Sequence, residues 1–126
     1  MEDKKRILLI DHPTLHSLIL HRIIVDEGYR CSLANDRKEA LSLMKRNDYD
    51  LIILDVTLMD IEGMALLKSL KVDPVYAPIP VIALSVKGET TKMNGALRLG
   101  AVDCLMKPFN VQKLLNKITQ IFKFAY

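Results

Sequence analysis

The stretch "LIILDVTLMDIEG", residues 51–63, decides how the chain folds. Leu51, Ile52, Ile53 and Leu54 follow one another without a polar residue, and the run stops at Asp55. A strand with one wet face would alternate. Four consecutive apolar residues describe a strand covered on both faces, as in a parallel sheet flanked by helices. A carboxylate at the C-terminal end of such a strand lies on the edge where open α/β sheets hold ligands.

Working outward, apolar runs alternate with helical patterns along the whole chain. "RILLID" (6–11) reads as the first strand, and "TLHSLILHRIIVDEG" (14–28) as a helix with Leu15, Leu18, Ile19 and Ile23 at helical spacing, stopped by Gly28. "YRCSLA" (29–34) is shorter and more polar, as an edge strand is. Asp36, with Glu39 three residues on, opens "DRKEALSLMKRN" in the manner of a capping box. After "DLIILD" come the helix "GMALLKSLKV", closed by Asp73-Pro74, the strand "IPVIALS", the helix "TTKMNGALRLG" ending at Gly100, the strand "VDCLMK", and a last helix, "VQKLLNKITQIFKF", capped by Asn110. The helical leucines and methionines are expected in the core. Regular β-α alternation with short connections implies a parallel sheet with helices on both faces.

The chain has 126 residues, 50% of them hydrophobic, which suits one domain over residues 1–126. No apolar run approaches the length of a membrane span, and "MEDKKRILLID" carries no secretory signature, so a cytoplasmic protein is expected. Cys31 and Cys104 fall on strands expected at opposite edges of the sheet, so no disulfide is expected, and neither has metal-ligand spacing. Residues 1–86 carry 11 Lys and Arg against 13 Asp and Glu, while residues 87–126 carry 7 against 2. That basic last third suits either a solvated face, with Lys113, Lys117 and Lys123 as a solvated stripe of the last helix, or an acidic partner surface; it has no aromatic interleaving of the kind nucleic-acid binding needs. Lys92, Arg98, Lys113 and Lys117 are expected to lie near each other on one side.

The strand ends carry the chemistry. Asp11-His12, Asp55, Ser85 and Lys107-Pro108 terminate four hydrophobic strands on the same edge of the sheet. Two carboxylates with a lysine and a hydroxyl suit a hard divalent cation beside a phosphoryl group. Mg²⁺ is commonly held by one or two carboxylates plus phosphate oxygens, with lysine acting as a point charge for the phosphate.

These residues resemble the receiver domain of two-component response regulators. The resemblance rests on "ILLID", "LIILDVTLMDIEG", "PVIALS" and "GAVDCLMKPF", and covers essentially the whole chain. It implies a doubly wound, flavodoxin-like sheet of five parallel strands in the order 2-1-3-4-5. It further implies that Asp55 is the phosphoacceptor, taking a phosphoryl group from a histidine kinase or phosphotransfer protein. Asp11 would hold the metal with Asp55 and the backbone carbonyl of Thr57; Ser85 and Lys107 would meet the phosphoryl group. The Lys107–Pro108 peptide would be cis. The expected cofactor is Mg²⁺, with Mn²⁺ as the second candidate. The expected output surface is formed by the fourth helix, fifth strand and fifth helix, for an output protein or a dimer mate. No enzyme activity beyond self-phosphotransfer and autodephosphorylation, no direct nucleic-acid contact and no membrane contact are implied.

The chain departs from the family pattern at three places. His12 stands where the family has the second acid of an acidic pair, which makes it a doubtful metal ligand and lowers the Mg²⁺ affinity expected. Met59 stands where proline is frequent, and Cys104 where an aromatic commonly moves on activation. A pseudo-receiver, keeping the fold as a phosphorylation-independent interaction module, is therefore the alternative function. Flavin binding fits poorly, because "DHPTLHS" offers no phosphate cradle. His16 and His21 are expected on solvated parts of the first helix.

Overall fold

The computed structural model describes residues 4–57 and 61–124. Its elements alternate without exception: β1 (Arg6–Ile10), α1 (Leu15–Asp26), β2 (Arg30–Ala34), α2 (Arg37–Arg46), β3 (Leu51–Asp55), α3 (Ile61–Val72), β4 (Val81–Val86), α4 (Thr90–Leu99), β5 (Asp103–Lys107) and α5 (Val111–Phe124). The five strands are parallel and lie in the order β2-β1-β3-β4-β5, as the resemblance implies. Cys31 and Cys104 sit on the two edge strands, and both are free thiols.

The central strand explains the opening run. Leu51 to Leu54 are all 0% exposed, because alternate residues enter different cores. Ile52 and Leu54 join Leu8, Ile10 and Ala83 under α2, α3 and α4; Leu51 and Ile53 join Ile7, Leu9 and Leu84 under α1 and α5. Burying each such side chain contributes about 1.5–3 kcal/mol.

The first helix corrects two expectations. Its core face is Ser17, Leu20 and Ile24, whereas Leu15, Leu18 and Ile19 are 73%, 57% and 49% exposed. At about 100° per residue these two stripes lie on opposite sides of the helix. Only one of them can meet the sheet. His21, expected in solvent, is half-buried and donates through Nε2 to the Cys31 carbonyl at 2.7 Å.

The capping expectation shifts as well. Asp36 accepts from the Glu39 N–H at 2.8 Å, but the Glu39 carboxylate takes the N–H of Asn35, not of Asp36. The reciprocal box is instead on α1, between Thr14 and Ser17. Asn110 caps α5 by accepting from the Gln112 N–H at 2.7 Å.

Two glycines do work that a side chain would prevent. Gly100 ends α4 in the left-handed region, at φ 115°, over the Lys71 stem. Lys71 continues past it to donate to the carbonyls of Ala77 and Ile79, tying α3 to the turn before β4. Gly63, in the first turn of α3, lies so close to the end of β3 that a Cβ would stand 2.7 Å from the Val56 carbonyl oxygen and 2.8 Å from that of Asp55. Both are backbone atoms and cannot step aside singly. Gly63→Ala is expected to cost about 1–3 kcal/mol in urea unfolding and to shift the amide signals of Asp55 and Val56. An unchanged unfolding midpoint would show that α3 does not press on the end of β3.

Candidate functional site

Strand register brings the site together. Ile10 pairs with Leu54 across β1 and β3, so Asp11 and Asp55 each come one residue later, level with each other and on the same side of the pleat. Val86 pairs with Lys107, which places the lysine just above Ser85 on the neighbouring strand. The Lys107–Pro108 peptide is cis, as the resemblance implies.

The two carboxylates are 1% exposed, and the Lys107 side chain is 19% exposed. Lys107 Nζ lies 3.0 and 2.9 Å from Asp11 Oδ1 and Oδ2, and 2.9 Å from Asp55 Oδ2. An ammonium has three protons, and here three oxygens face it. Asp11 Oδ1 also accepts the His12 N–H at 2.7 Å. Asp55 Oδ1 accepts the Thr57 N–H at 2.8 Å and, closer still, the Thr57 hydroxyl. Every carboxylate oxygen is therefore partnered.

These contacts push the ionisations in different directions. Burial raises the Asp11 carboxyl above the usual aspartate range, against the opposing pull of Lys107 and the His12 N–H. Burial also acts to raise Asp55, but the Thr57 hydroxyl, the Lys107 ammonium and the Thr57 N–H outweigh it and hold Asp55 below that range. Burial lowers Lys107, and its bonds to Asp11 and Asp55 more than restore it, so the ammonium is held beyond the usual lysine range. The pocket thus keeps a charged Asp55–Lys107 pair at neutral pH.

The remaining expected residues fall around this centre. Ser85 is wholly buried, and its hydroxyl faces the Val86 carbonyl at 3.4 Å. His12 is half-exposed and lines a recess of about 530 Å³ together with Asp11, His16, Lys87, Lys107 and Pro108. Among the described residues no three His, Cys, Asp or Glu side chains gather into a metal-ligand group. His16 packs edge-on against Phe109, with ring centroids 5.9 Å apart. Met59 lies outside the described residues.

Would the donors present hold a divalent cation? Two buried carboxylates already converge on one positive centre, and all their donors are oxygens. That set fits Mg²⁺ or Mn²⁺, which are held by one or two carboxylates together with phosphate oxygens. It is one carboxylate poorer than the family's acidic pair would make it.

Lys92, Arg98, Lys113 and Lys117 sit on the two helices that flank β5. Ala96 of α4 belongs to one core, and Leu114, Leu115 and Ile118 of α5 belong to the other, so the two helices cover opposite faces of the sheet. Lys92 and Arg98 therefore lie across β5 from Lys113 and Lys117. Lys117 is also not a solvated lysine, since its ammonium pairs with Asp103 at 2.8 Å.

The family model described as "Response regulator receiver domain" matches residues 7–119. The chain belongs to that family. It is 32% identical over 118 residues to the transcriptional regulatory protein ZraR of Escherichia coli K12, a match covering 91% of this chain and 26% of that protein. It is 31% identical over 121 residues to the transcriptional regulatory protein PcoR of Escherichia coli, covering 96% of this chain and 53% of that one. The chain thus spans about half or less of the length of these relatives. Among solved structures, the receiver domain of NtrX from Brucella abortus superposes with a TM-score of 0.86 at 27% identity, covering 94% of this chain and 99% of that chain. A two-component response regulator from Clostridium difficile gives 0.86 at 28% identity, with 96% and 98% coverage. Receiver domains of this family are regulators, not enzymes in the ordinary sense, and typically use Mg²⁺ and an aspartyl phosphate.

One contributor to the site went unread in the sequence. Thr57 was expected to act through its backbone carbonyl, yet its hydroxyl and N–H both hold Asp55. Spacing alone signals it: a hydroxyl residue two positions after a strand-ending aspartate can close a local hydrogen-bonded turn.

Proposed function

We propose that this receiver domain, spanning residues 1–126 as one unit, accepts a phosphoryl group on Asp55 from a phosphohistidine of a kinase or phosphotransfer protein. The observation that carries the reading is the Lys107 ammonium joining Asp11 and Asp55 inside a buried pocket at the mouth of the sheet. Asp55 Oδ1 is committed to Thr57 by two bonds, so Oδ2, held among the described residues by Lys107 alone, is the attacking oxygen. Oδ2 forms the new P–O bond as the donor's P–N bond breaks, and the departing imidazole keeps the electron pair and takes up a proton. Lys107 then turns its charge to the phosphoryl oxygens, and the Ser85 hydroxyl, released from the Val86 carbonyl, donates to one of them. A bound divalent cation would supply further positive charge to those oxygens, held by Asp11, Asp55 and the Thr57 carbonyl. Titration with Mg²⁺ and beryllofluoride, a phosphoryl mimic, tests the site: amide shifts should centre on Asp55, Thr57, Ser85 and Lys107. Shifts centred elsewhere, or none, would favour the phosphorylation-independent pseudo-receiver, which His12 and Cys104 support.

The second apolar stripe of α1 offers the donor a docking face. Leu15, Leu18 and Ile19 are exposed, and the stripe begins one turn from the pocket. Leu18→Glu is expected to lower the ratio of protein-donor to small-donor phosphorylation rates by about tenfold, the cost of one buried interface anchor. An unchanged ratio would move the donor off α1. The output partner or dimer mate is placed on the face of α4, β5 and α5. There Val102, Ile121 and Phe124 line a groove of about 390 Å³ beside the Asp103–Lys117 pair. The free cysteines suit the cytoplasm.

A further inference from the structure

We infer that the cavity between the end of α2 and the turn leading into β4 binds a free α-amino acid with a large apolar side chain. The cavity lies at the opposite edge of the sheet from Asp11 and Asp55. Tyr49 stands before the start of β3 and Asp55 ends it, so the two sites are separated by the strand's length, about 13 Å at 3.3 Å per residue. The inference does not rest on the phosphoacceptor reading.

The walls are apolar and already in place. The cavity measures about 440 Å³, within the range of roughly 300–1,000 Å³ usual for small-molecule sites. Met44 and Tyr49, 5% and 6% exposed, belong to the core under α2, α3 and α4, and Tyr76 and Ile79 of the turn pack against that core. Val75, 73% exposed, leaves an apolar lip in water. The turn is held before any ligand arrives. Lys71 donates to the carbonyls of Ala77 and Ile79, and the Asp73 carboxylate accepts the Val75 N–H at 2.8 Å. A preformed apolar cavity loses little conformational freedom when it is filled.

The polar groups select the ligand. The Tyr49 hydroxyl is committed to Ser32 Oγ at 2.9 Å, which leaves its ring for the cavity. The Asn47 side chain donates to the Leu43 carbonyl and accepts from Arg6, so it is committed too. Lys45 and Asp48 remain, both exposed and neither with a partner among the described residues. Two opposite charges line one cavity without pairing with each other. A small molecule that carries an ammonium and a carboxylate side by side complements both. Asp48 also follows the C-terminal, negative end of α2, where a cation is favoured. The α-ammonium therefore goes to Asp48, the α-carboxylate to Lys45, and the side chain onto Tyr49, Tyr76 and Ile79. A singly charged ligand would leave one of the two charges unused, and a ligand without an apolar body would leave the cavity wet.

Titration of the nitrogen-15-labelled protein with L-phenylalanine tests the site. Amide shifts should centre on residues 44–49 and 75–79, with half-saturation near about 1 mM, an ordinary affinity for so small a ligand. Phenethylamine, which lacks the carboxylate, and 3-phenylpropionate, which lacks the ammonium, should each bind at least about threefold more weakly, the worth of one exposed charge contact. Asp48→Asn should weaken L-phenylalanine by a similar factor; the residue is exposed, so its urea midpoint should match wild type. Glycine, without the apolar body, should shift nothing. Either analogue binding as tightly as L-phenylalanine would overturn the inference, as would unchanged affinity in Asp48→Asn. Shifts centred elsewhere, or none at about 10 mM L-phenylalanine, would overturn it as well.

Discussion

Lys107→Met is expected to destabilise the metal-free protein by about 3–5 kcal/mol, the range seen when one partner of a buried ion pair is removed. The stem fits methionine; the loss is electrostatic. Asp11 and Asp55, each 1% exposed, would be left facing one another without the positive charge that now touches both. Against a typical total of about 5–15 kcal/mol, such a loss takes a large part of the stability. The pH dependence has a definite sign. Because the folded pKa of Lys107 lies above its unfolded value, its contribution is complete below the unfolded pKa and disappears as pH rises through the folded one. Asp55 behaves oppositely: its lowered pKa gives stability present above the ordinary aspartate value and lost as pH falls through the folded pKa. Asp11, raised by burial, is itself a cost once ionised, so its protonation relieves the pocket on the acid side. The gap between wild type and Lys107→Met should therefore be widest near neutral pH and shrink toward both extremes. Urea unfolding across the range measures it, and a gap that does not vary with pH would mean the loss is one of packing.

His12→Asp is expected to tighten Mg²⁺ binding by about 10- to 1000-fold. A carboxylate roughly 5 Å from a divalent ion supplies roughly 5 kcal/mol of raw attraction at an effective dielectric near 20, much of it returned as desolvation. Residue 12 is well placed for this, because its N–H already binds Asp11 Oδ1 and its half-exposed side chain lines the recess over the pocket. The same substitution should lower metal-free stability, since a third carboxylate joins two that share one ammonium. Opposite changes in metal affinity and in metal-free stability are the signature. Equal Mg²⁺ affinities in the two proteins would show that residue 12 does not reach the cation.

Much of this architecture is legible in the chain because burial on both faces leaves an unmistakable pattern. Leu51–Leu54 cannot be a half-wet strand, and the carboxylate that ends the run marks the ligand edge of the sheet. Lys107 is legible only together with Pro108, Phe109 and the strand before them. The first helix misleads for a physical reason. It is apolar on two opposite stripes, and periodicity reports a stripe without saying which one meets the sheet; Leu20 and Ile24 took the core and left Leu15, Leu18 and Ile19 outside. Contacts between distant segments leave no periodic trace at all. The lysine bridge from residue 107 to residue 11, the His21 bond to the Cys31 carbonyl and the Lys71 tie to Ala77 and Ile79 depend on the folded sheet bringing those groups together.

The claim that Asp55 is a phosphoacceptor meets its most direct test in incubation with a small phosphodonor and Mg²⁺, followed by intact-mass and peptide analysis. Wild type should gain one phosphoryl group, carried by the peptide containing Asp55 and labile to hydroxylamine as an acyl phosphate is, and Asp55→Asn should gain none. Label persisting in Asp55→Asn, or wild type left unlabelled at saturating Mg²⁺ and Mn²⁺, would contradict it.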